Sequence, residues 1–347
     1  MKKHAGKFLK FLLFFGLGIL LVWLATYQLT PEQRERIRIS FREAHYWLLL
    51  PVLLTGVASH LFRALRWRLL MAPLDLRPTV FNTFAAVMIG YLANLAIPRM
   101  GEITRCGVLA RNERMPVDKL IGTMIAERAF DLVCLLLLLF ITLVTQLDVL
   151  GDFFYKNIVS RLLHHFRPGS GFSGMLLILG AVLILFLLYW ILRRFRQTRW
   201  YDKIRHIVLG VRDGIASIGR LRQKRLFFLY TLLIWGCYLM MVYVGFFCLD
   251  ATSHLGFKAA LAVLGLGSIG MIATQGGIGA YQLLTEKTLS LYGIGPAVGY
   301  AFGWISWLAQ TFLIIIVGFV CILLLPLLNN RHHGQDTGDP AKDSHPA

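Results

Sequence analysis

A run of charged residues interrupts an otherwise apolar sequence between positions 94 and 131. The members that could carry chemistry are Arg99, Glu102, Arg105, Glu127, Arg128 and Asp131. Guanidinium groups bind phosphate through paired, charge-assisted hydrogen bonds, and carboxylates can pair with the same groups when no ligand is bound. Charge at membrane depth is costly unless it faces protein or water, so this pattern predicts a binding site for an anionic headgroup.

The spacing of these charges also permits a purely structural interpretation. Glu102 and Arg105 are three residues apart and can pair on one face of a helix. Glu127 and Asp131 are four residues apart and share a helix face, and Arg128 lies within reach of Asp131. Two alternatives stay open: ion pairs that only hold helices together, or a charged gate coupled to the movement of a substrate or ion.

A second candidate segment reads TQGGIGAYQ. Its glycines, Gly276, Gly277 and Gly279, disfavour an ordinary helix, since each costs about 1 kcal/mol relative to alanine. They allow tight turns and leave backbone amides able to contact a ligand. Tyr281 and Gln282 then begin the next half-helix, whose positive N-terminal end suits an anionic group. A plain hairpin turn is the alternative.

Composition predicts the elements that must position these residues. The 347 residues are 57% hydrophobic and have a mean hydropathy of +0.64, whereas soluble domains are about 45–50% apolar. The chain is therefore expected to be an all-α, polytopic membrane bundle. Six windows can span a bilayer, near residues 8–28, 45–65, 119–147, 173–192, 226–249 and 299–327. Two further apolar segments, 78–112 and 257–293, are broken by Gly, Pro and polar residues.

Charge placement predicts how the broken segments thread the membrane. Eleven basic residues lie between positions 193 and 225, which is typical of a cytoplasmic loop beside anionic lipid. The segment RALRWR, residues 63–68, is expected to follow the second helix on the same side. Both fall inside only if 78–112 enters and leaves the membrane on its cytoplasmic face, as a re-entrant hairpin. The same count of membrane crossings predicts that 257–293 is a re-entrant hairpin from the outer face.

The resulting order is helix, helix, hairpin, helix, followed by the same elements upside down. Such inverted repeats are common in secondary transporters, whose sites lie where broken helices meet near the midplane. We expect one transmembrane domain over residues 1–328, with halves of about 1–150 and 170–328. A polar tail, 329–347, is expected to be disordered. Both termini are predicted to be cytoplasmic.

Several classes of function find little support in the sequence. The net charge of +18 fits cytoplasmic loops at a membrane, and nothing resembles a motif that reads nucleic acid. The five cysteines form no CxxC pair, so they are interpreted as apolar packing residues, and no metal or cofactor is expected. Motifs of the zinc-protease, α/β-hydrolase and P-loop kinds are absent from the sequence, so we do not expect an enzyme.

The run IPRMGEITRCGVLARNERMPVDKLIGTMIAERAFDLV, together with QGGIGAYQ and a later W-x-x-W-x-x-Q, resembles the lysylphosphatidylglycerol synthase transmembrane-region family. The resemblance covers nearly the whole chain. The second motif of the family usually reads P-G-G-I-G with an acidic residue soon after, whereas Gln275 and Gln282 stand at those positions here. In the best-known relatives such a region moves lysyl-phosphatidylglycerol between leaflets and is fused to a soluble aminoacyltransferase, which we do not expect in this protein.

The resemblance implies a flippase-like protein of the bacterial inner membrane. The expected substrate is an anionic phospholipid, an aminoacyl-phospholipid or a polyprenyl-phosphate-linked lipid, and membrane lipids are the expected partners. The alternative is an accessory or scaffold protein that does not transport but assists an enzyme of envelope-lipid synthesis. A lipid-synthesis enzyme and a second copy of the chain both stay open as protein partners.

Overall fold

Helices account for the architecture of this chain as far as it is described. The computed structural model describes residues 16, 18–27, 29–97, 100–146, 219 and 221–335, with side chains as far as Leu328. We number the helices of this part α1 to α10. They are α1 Gly18–Tyr27, α2 Pro31–Glu43, α3 Leu49–Met71, α4 Val80–Ala96, α5 Met100–Glu113, α6 Val117–Thr145, α7 Lys224–Phe246, α8 Phe257–Ala273, α9 Ala280–Ser290 and α10 Pro296–Gln335.

The prediction of an all-α membrane bundle is confirmed. Four of the described stretches are long and apolar enough to cross a bilayer, and they contain α3, α6, α7 and α10. The predicted spanning helix 173–192 lies outside the described residues, and so do most of the basic loop 193–225 and positions 336–347 of the expected tail.

Two compact units make up the chain. One comprises Met1–Arg128 with Ile218–Ala347, and the other comprises Ala129–Ser217. The boundary falls inside α6, just after Arg128. All tertiary contacts discussed below lie within the first unit.

Among the described helices of the first unit, α3 and α7 make the most extensive contact with each other. At one end of this pair, His45 Nε2 lies 3.1 Å from Asp250 Oδ1, and the His45 amide donates to the Cys248 carbonyl over 2.8 Å. His45 precedes α3 whereas Asp250 follows α7, so the two helices run antiparallel. The α3 helix also continues to Met71, six residues beyond the predicted end.

The first predicted hairpin is formed by α4 and α5. At its base, Glu113 Oε1 accepts hydrogen bonds of 2.8 Å from the amide and the hydroxyl of Thr79 and from Asn82 Nδ2. At its tip, the Gly101 amide donates to Asn94 Oδ1 over 2.7 Å. The two helices therefore run side by side in opposite directions, and the segment starts and ends at the same level of the bundle.

A close approach of backbones fixes the tip of this hairpin. A methyl group added at Gly101 would come 2.1 Å from the Gly90 carbonyl oxygen, and one added at Gly90 would come 2.8 Å from the Gly101 carbonyl oxygen. Because side chains cannot be accommodated at either position, glycine at both positions is a packing requirement of the hairpin.

The second predicted hairpin is formed by α8 and α9. Its base is marked by the Tyr292 hydroxyl, which donates to the Lys258 carbonyl over 3.4 Å. Near its tip, Gly267 and Gly270 of α8 pack directly against Tyr281, as expected of small residues that let helices approach. The two hairpins therefore share one construction, and α4 and α8 each contain 17 residues.

The tips of the two hairpins meet. Gln275, in the turn between α8 and α9, donates from Nε2 to the carbonyl oxygen of Asn94 over 3.0 Å. Thus α3, the α4–α5 hairpin and α6 are followed by α7, the α8–α9 hairpin and α10, with hairpin tips in contact. This element order agrees with the predicted repeat, and the inverted relation of the halves to the membrane stays a prediction.

Candidate functional site

The centre of the candidate site is a single buried carboxylate, Glu127 of α6, whose side chain has no exposed surface. Arg63 Nη1 and Arg66 Nη2 of α3 lie 3.1 Å and 3.2 Å from Glu127 Oε1. Arg105 Nη2 of α5 lies 2.8 Å from the other oxygen, Oε2. One carboxylate therefore joins the second helix, the first hairpin and α6.

Arg128 completes the group at its accessible edge. Its Nη2 lies 3.9 Å from Glu127 Oε1, and its side chain is 38% exposed, whereas those of Arg63 and Arg105 are 5% and 4% exposed. We call Arg63, Arg66, Arg105, Glu127 and Arg128 the arginine cluster. Arg128 is the member best placed to meet a molecule that arrives from outside the protein.

Neighbouring side chains hold the guanidinium groups in fixed positions. Arg63 Nη2 donates to the Tyr238 hydroxyl over 3.1 Å, and Arg66 Nη1 donates to Thr231 Oγ1 over 3.3 Å. The Arg105 guanidinium carbon lies 4.5 Å from the centre of the Trp67 ring, a cation–π contact. Fixed donors of this kind recognise an anion without first having to be ordered.

The cluster lies deep in the bundle. Arg63 precedes the end of α3 by eight residues, which is about 12 Å along a helix. Glu127 follows the start of α6 by ten residues, about 15 Å by the same rise. Both residues therefore lie more than two helical turns inside the ends of their helices. Buried charge at this depth is a mark of substrate and ion pathways.

A small cavity of about 20 Å³ adjoins the cluster between α4 and α5. Its lining includes Tyr91, Asn94, Glu102, Arg105 and Arg128. Such a volume accommodates about one water molecule, so a larger headgroup requires the hairpin to move. Because Asn94 also accepts the hydrogen bond from Gln275, the cavity reaches the contact between the two tips.

The predicted pair of Glu102 with Arg105 is wrong for the described residues. Arg105 turns to Glu127 instead, and Glu102 Oε2 is buried without a hydrogen-bond partner in the described part of the chain. The shared carboxylate draws Arg105 towards α6, and this tertiary contact overrides the local spacing. The partners of Glu127 on α3 and α5 are compatible with the structural alternative, ion pairs that hold helices together, and the choice between that alternative and a charged gate stays open.

Two predicted residues do not enter this description. Arg99 lies outside the described residues, together with the neighbouring Pro98. Asp131 lies one helical turn beyond Glu127 on α6, in the second compact unit. Their roles stay predictions.

The glycine-rich segment forms the tip of the second hairpin. Gly276, Gly277 and Gly279 all have positive φ, at 59°, 79° and 79°, a conformation that other residues adopt with strain. The Gly276 carbonyl accepts a 2.7 Å hydrogen bond from Trp307 Nε1 of α10. A methyl group at Gly279 would come 2.6 Å from the Gly18 carbonyl oxygen of α1. The tip is therefore packed between α1 and α10, as a compact turn.

Tyr281 and Gln282 begin α9, as predicted. Tyr281 packs on α8, whereas Gln282 is fully buried against α10, where a methyl group at Gly303 would come 3.0 Å from its Cα. Both polar atoms of the Gln282 amide have no hydrogen-bond partner among the described residues. Near its tip the second hairpin thus supplies the neutral side chains of Gln275 and Gln282, whereas farther along α9 the buried Glu286 pairs with Lys287 over 3.2 Å.

Arg63 and Arg66 belong to the site but were not predicted. The sequence analysis assigned RALRWR to the cytoplasmic end of the second helix, because basic residues after an apolar window usually flank the membrane. A signal was present: Ser59, Arg63 and Arg66 follow one another at spacings of four and three, and this places them on one helix face. This face of α3 is directed towards Glu127 inside the bundle.

Comparison with known proteins identifies a family. The model of a family described as the lysylphosphatidylglycerol synthase TM region matches residues 8–318. Comparison with curated proteins and with solved structures returned no significant match. The matched range includes α1 to α9 and most of α10, and therefore both hairpins and the whole arginine cluster. On this match, the chain belongs to the lysylphosphatidylglycerol synthase TM-region family of integral membrane proteins, a family related to lipid biosynthesis or translocation.

Proposed function

We propose that this protein moves an anionic, phosphate-bearing lipid between the leaflets of the bacterial inner membrane, and that it is not an enzyme. The observation that carries the proposal is the arginine cluster, in which Arg63, Arg66 and Arg105 share the buried Glu127. A phosphate diester has the charge and the acceptor oxygens that guanidinium groups bind in paired fashion.

The site suggests how a headgroup would be exchanged. A lipid phosphate would first meet Arg128, the most exposed of the four guanidinium groups. It would then compete with Glu127 for Arg105, whose contact to the carboxylate lies beside the small cavity. When the lipid leaves, Glu127 takes back its hydrogen bonds, so the guanidinium groups are never left in an apolar interior without a partner.

The hairpins supply the movement in this proposal. Their tips are joined by the hydrogen bond from Gln275 to the carbonyl of Asn94, and Asn94 lines the small cavity. Separation of the tips would widen that cavity and let a headgroup pass from the first hairpin to the second. Sites at the meeting point of broken helices serve alternating access in transporters.

A leaflet-exchange assay in proteoliposomes tests the proposal. Fluorescent phosphatidylglycerol in the inner leaflet becomes accessible to an external quencher only after translocation. The wild-type protein should accelerate this exchange well above that of protein-free vesicles, and Arg128→Gln should slow it about tenfold, the effect of losing one charge-assisted contact. Arg111→Gln, on an exposed part of α5 outside the cluster, should exchange lipid at the wild-type rate. Equal rates for wild type and Arg128→Gln, with every anionic lipid tested, would contradict the proposal.

The second candidate is an accessory protein for an envelope-lipid enzyme. The ion pairs of Arg63, Arg66 and Arg105 with Glu127 favour it, because a buried network of this kind can have no other role than to hold α3, α5 and α6 together. In that case the purified protein exchanges no lipid, and it copurifies with a lipid-synthesis enzyme from the native membrane. A homo-oligomer is compatible with both candidates.

A further inference from the structure

A large groove lies in the first unit away from the arginine cluster. It has a volume of about 760 Å³ and is bounded by the end of α1, by α2 and by the start of α10, a size typical of small-molecule sites. In the predicted topology the N-terminus is cytoplasmic, so α1 ends at the outer face of the membrane. The α10 helix begins at the same face, because it follows a hairpin predicted to enter from outside. The predicted topology therefore places this groove in the outer leaflet.

Five of the eleven described residues that line the groove are aromatic. Trp23 and Tyr27 of α1 stack with ring centres 5.1 Å apart, and Tyr300 and Trp304 of α10 meet edge to face at 6.3 Å. Tryptophan and tyrosine are enriched where membrane meets water, since their rings are apolar and their N–H or O–H group is polar. The wall therefore suits the region where the acyl chains of a lipid join its headgroup.

One charged side chain, Arg34 of α2, lines the groove. It donates to the Thr26 carbonyl over 3.4 Å, and no carboxylate pairs with it among the described residues. The acidic residues of α2 do not line the groove, and Glu35 lies 3.8 Å from Arg38. The rim is therefore positive, and most guanidinium N–H groups of Arg34 stay available to an anion.

The groove leads inward to the second hairpin. Leu308 marks its inner end on α10, and Trp304 meets Trp307 edge to face at 5.6 Å. Trp307 in turn donates to the Gly276 carbonyl at the tip of the hairpin. On the opposite side, Gly18 of α1 contacts the same turn. The groove and the turn share both walls, α1 and α10.

From these contacts we infer that the groove binds one phosphate-bearing phospholipid of the outer leaflet, with the phosphate at Arg34 and an acyl chain along Trp23, Trp304 and Leu308. Positive charge at the rim and an aromatic interior match the two ends of such a molecule. In the proposed function this groove would be the lipid-binding site at the outer end of the transport path. That role rests on the proposed function, whereas lipid binding in the groove does not.

Photo-crosslinking distinguishes this site from general contact with lipid. The protein is reconstituted in nanodiscs of phosphatidylcholine that contain a small fraction of phosphatidylglycerol with a diazirine in one acyl chain. After illumination, labelled peptides are mapped by mass spectrometry. Label should concentrate on residues 18–27 and 300–308, and Leu308→Trp, which fills the inner end of the groove, should reduce it about tenfold.

Substitutions at the rim test the phosphate contact. Arg34→Gln should reduce groove labelling by phosphatidylglycerol about tenfold relative to Arg36→Gln, a matched change on the same helix at a residue that does not line the groove. A diazirine probe based on diacylglycerol, which has no phosphate, should label the groove weakly in all three proteins. Label spread evenly over lipid-facing helices, or unaffected by both Arg34→Gln and Leu308→Trp, would overturn the inference. If the groove is labelled as expected but the protein exchanges no lipid, the proposed function is wrong and the inferred lipid site is still supported.

Discussion

At the scale of single residues, the most consequential feature is that several arginines share Glu127. Removal of one partner from a buried ion pair costs more than the pair contributes, because the remaining charge is left without compensation in a medium of low dielectric. Arg63, Arg66 and Arg105 are each at most 5% exposed. Glu127 is therefore required for these three side chains to stay inside the protein.

The first prediction concerns this carboxylate. Glu127→Gln should lower the free energy of unfolding by about 3–5 kcal/mol, since it leaves several buried guanidinium groups without their shared anion. The measurement is unfolding in mixed detergent and dodecyl sulfate micelles, followed by circular dichroism. Glu35→Gln is the control: its side chain is 58% exposed in a 3.8 Å pair, so little change is expected. If both variants unfold at the same detergent composition, Glu127 does not hold the cluster together.

Part of this cluster could be predicted from the sequence, and there is a physical reason why the rest could not. Arg105 and Glu127 could be selected because charge within an apolar chain has few explanations. Arg63 and Arg66 could not, since basic residues at the end of an apolar window have an ordinary explanation as a membrane flank. What distinguishes them is Glu127, sixty residues or more along the chain, and a contact of that separation is not encoded in local spacing.

At the scale of elements, the two broken hairpins organise the molecule. Helix breakers, Pro98 and Gly101 in one segment and three glycines in the other, made both hairpins predictable. The end of α3 was harder to predict. Arginine and leucine favour helix and the next helix breaker is Pro73, so the helix continues past the predicted end at residue 65. That extension is what carries Arg66 to Glu127.

The second prediction tests the closeness of α4 and α5. Gly101→Ala should destabilise the protein by about 1–3 kcal/mol, because the added methyl group would lie 2.1 Å from the Gly90 carbonyl oxygen and the hairpin must open to admit it. Gly107→Ala is the matched control on the same helix, with no atom within 4 Å of the added methyl group.

Helix propensity predicts that the control variant, Gly107→Ala, is at least as stable as the wild type. Alanine at an exposed helical position gains up to about 1 kcal/mol over glycine, so Gly107→Ala should melt at the same or a higher temperature than the wild type, and Gly101→Ala at a lower one. Thermal melts of both variants in the same detergent provide the comparison. Equal melting temperatures for the two variants would show that the Gly90–Gly101 contact does not restrict the hairpin.

At the scale of the whole molecule, the account depends on the two hairpins entering from opposite faces. The bases are defined by Glu113 with Thr79 and by Tyr292 with Lys258. The contact of His45 with Asp250 places the start of α3 and the end of α7 on one face. Charge parity assigns that face to the outside, and this assignment can be measured.

The third prediction is a pattern of accessibility in a variant without native cysteines. Cysteines at Lys119 and Arg222 should react with a membrane-impermeant maleimide only after the membrane is permeabilised, because both are exposed near helix ends that charge parity predicts to be cytoplasmic. Cysteines at His254 and Gly295 should react in intact spheroplasts. Reaction of the cysteine at position 119 in intact spheroplasts would mean that α4 and α5 together cross the membrane, and the re-entrant arrangement would be wrong.

The most direct test of the central claim is to join the two hairpin tips and follow lipid exchange. Cysteines at Asn94 and Gln275, whose backbone and side chain are linked by a 3.0 Å hydrogen bond, can be bridged with a short, reducible bifunctional thiol reagent. We expect the bridged protein to lose at least about nine-tenths of its phosphatidylglycerol exchange in proteoliposomes and to regain it after reduction, while each single variant is unaffected by the reagent. Undiminished exchange by fully bridged protein would contradict a path that opens between the hairpins.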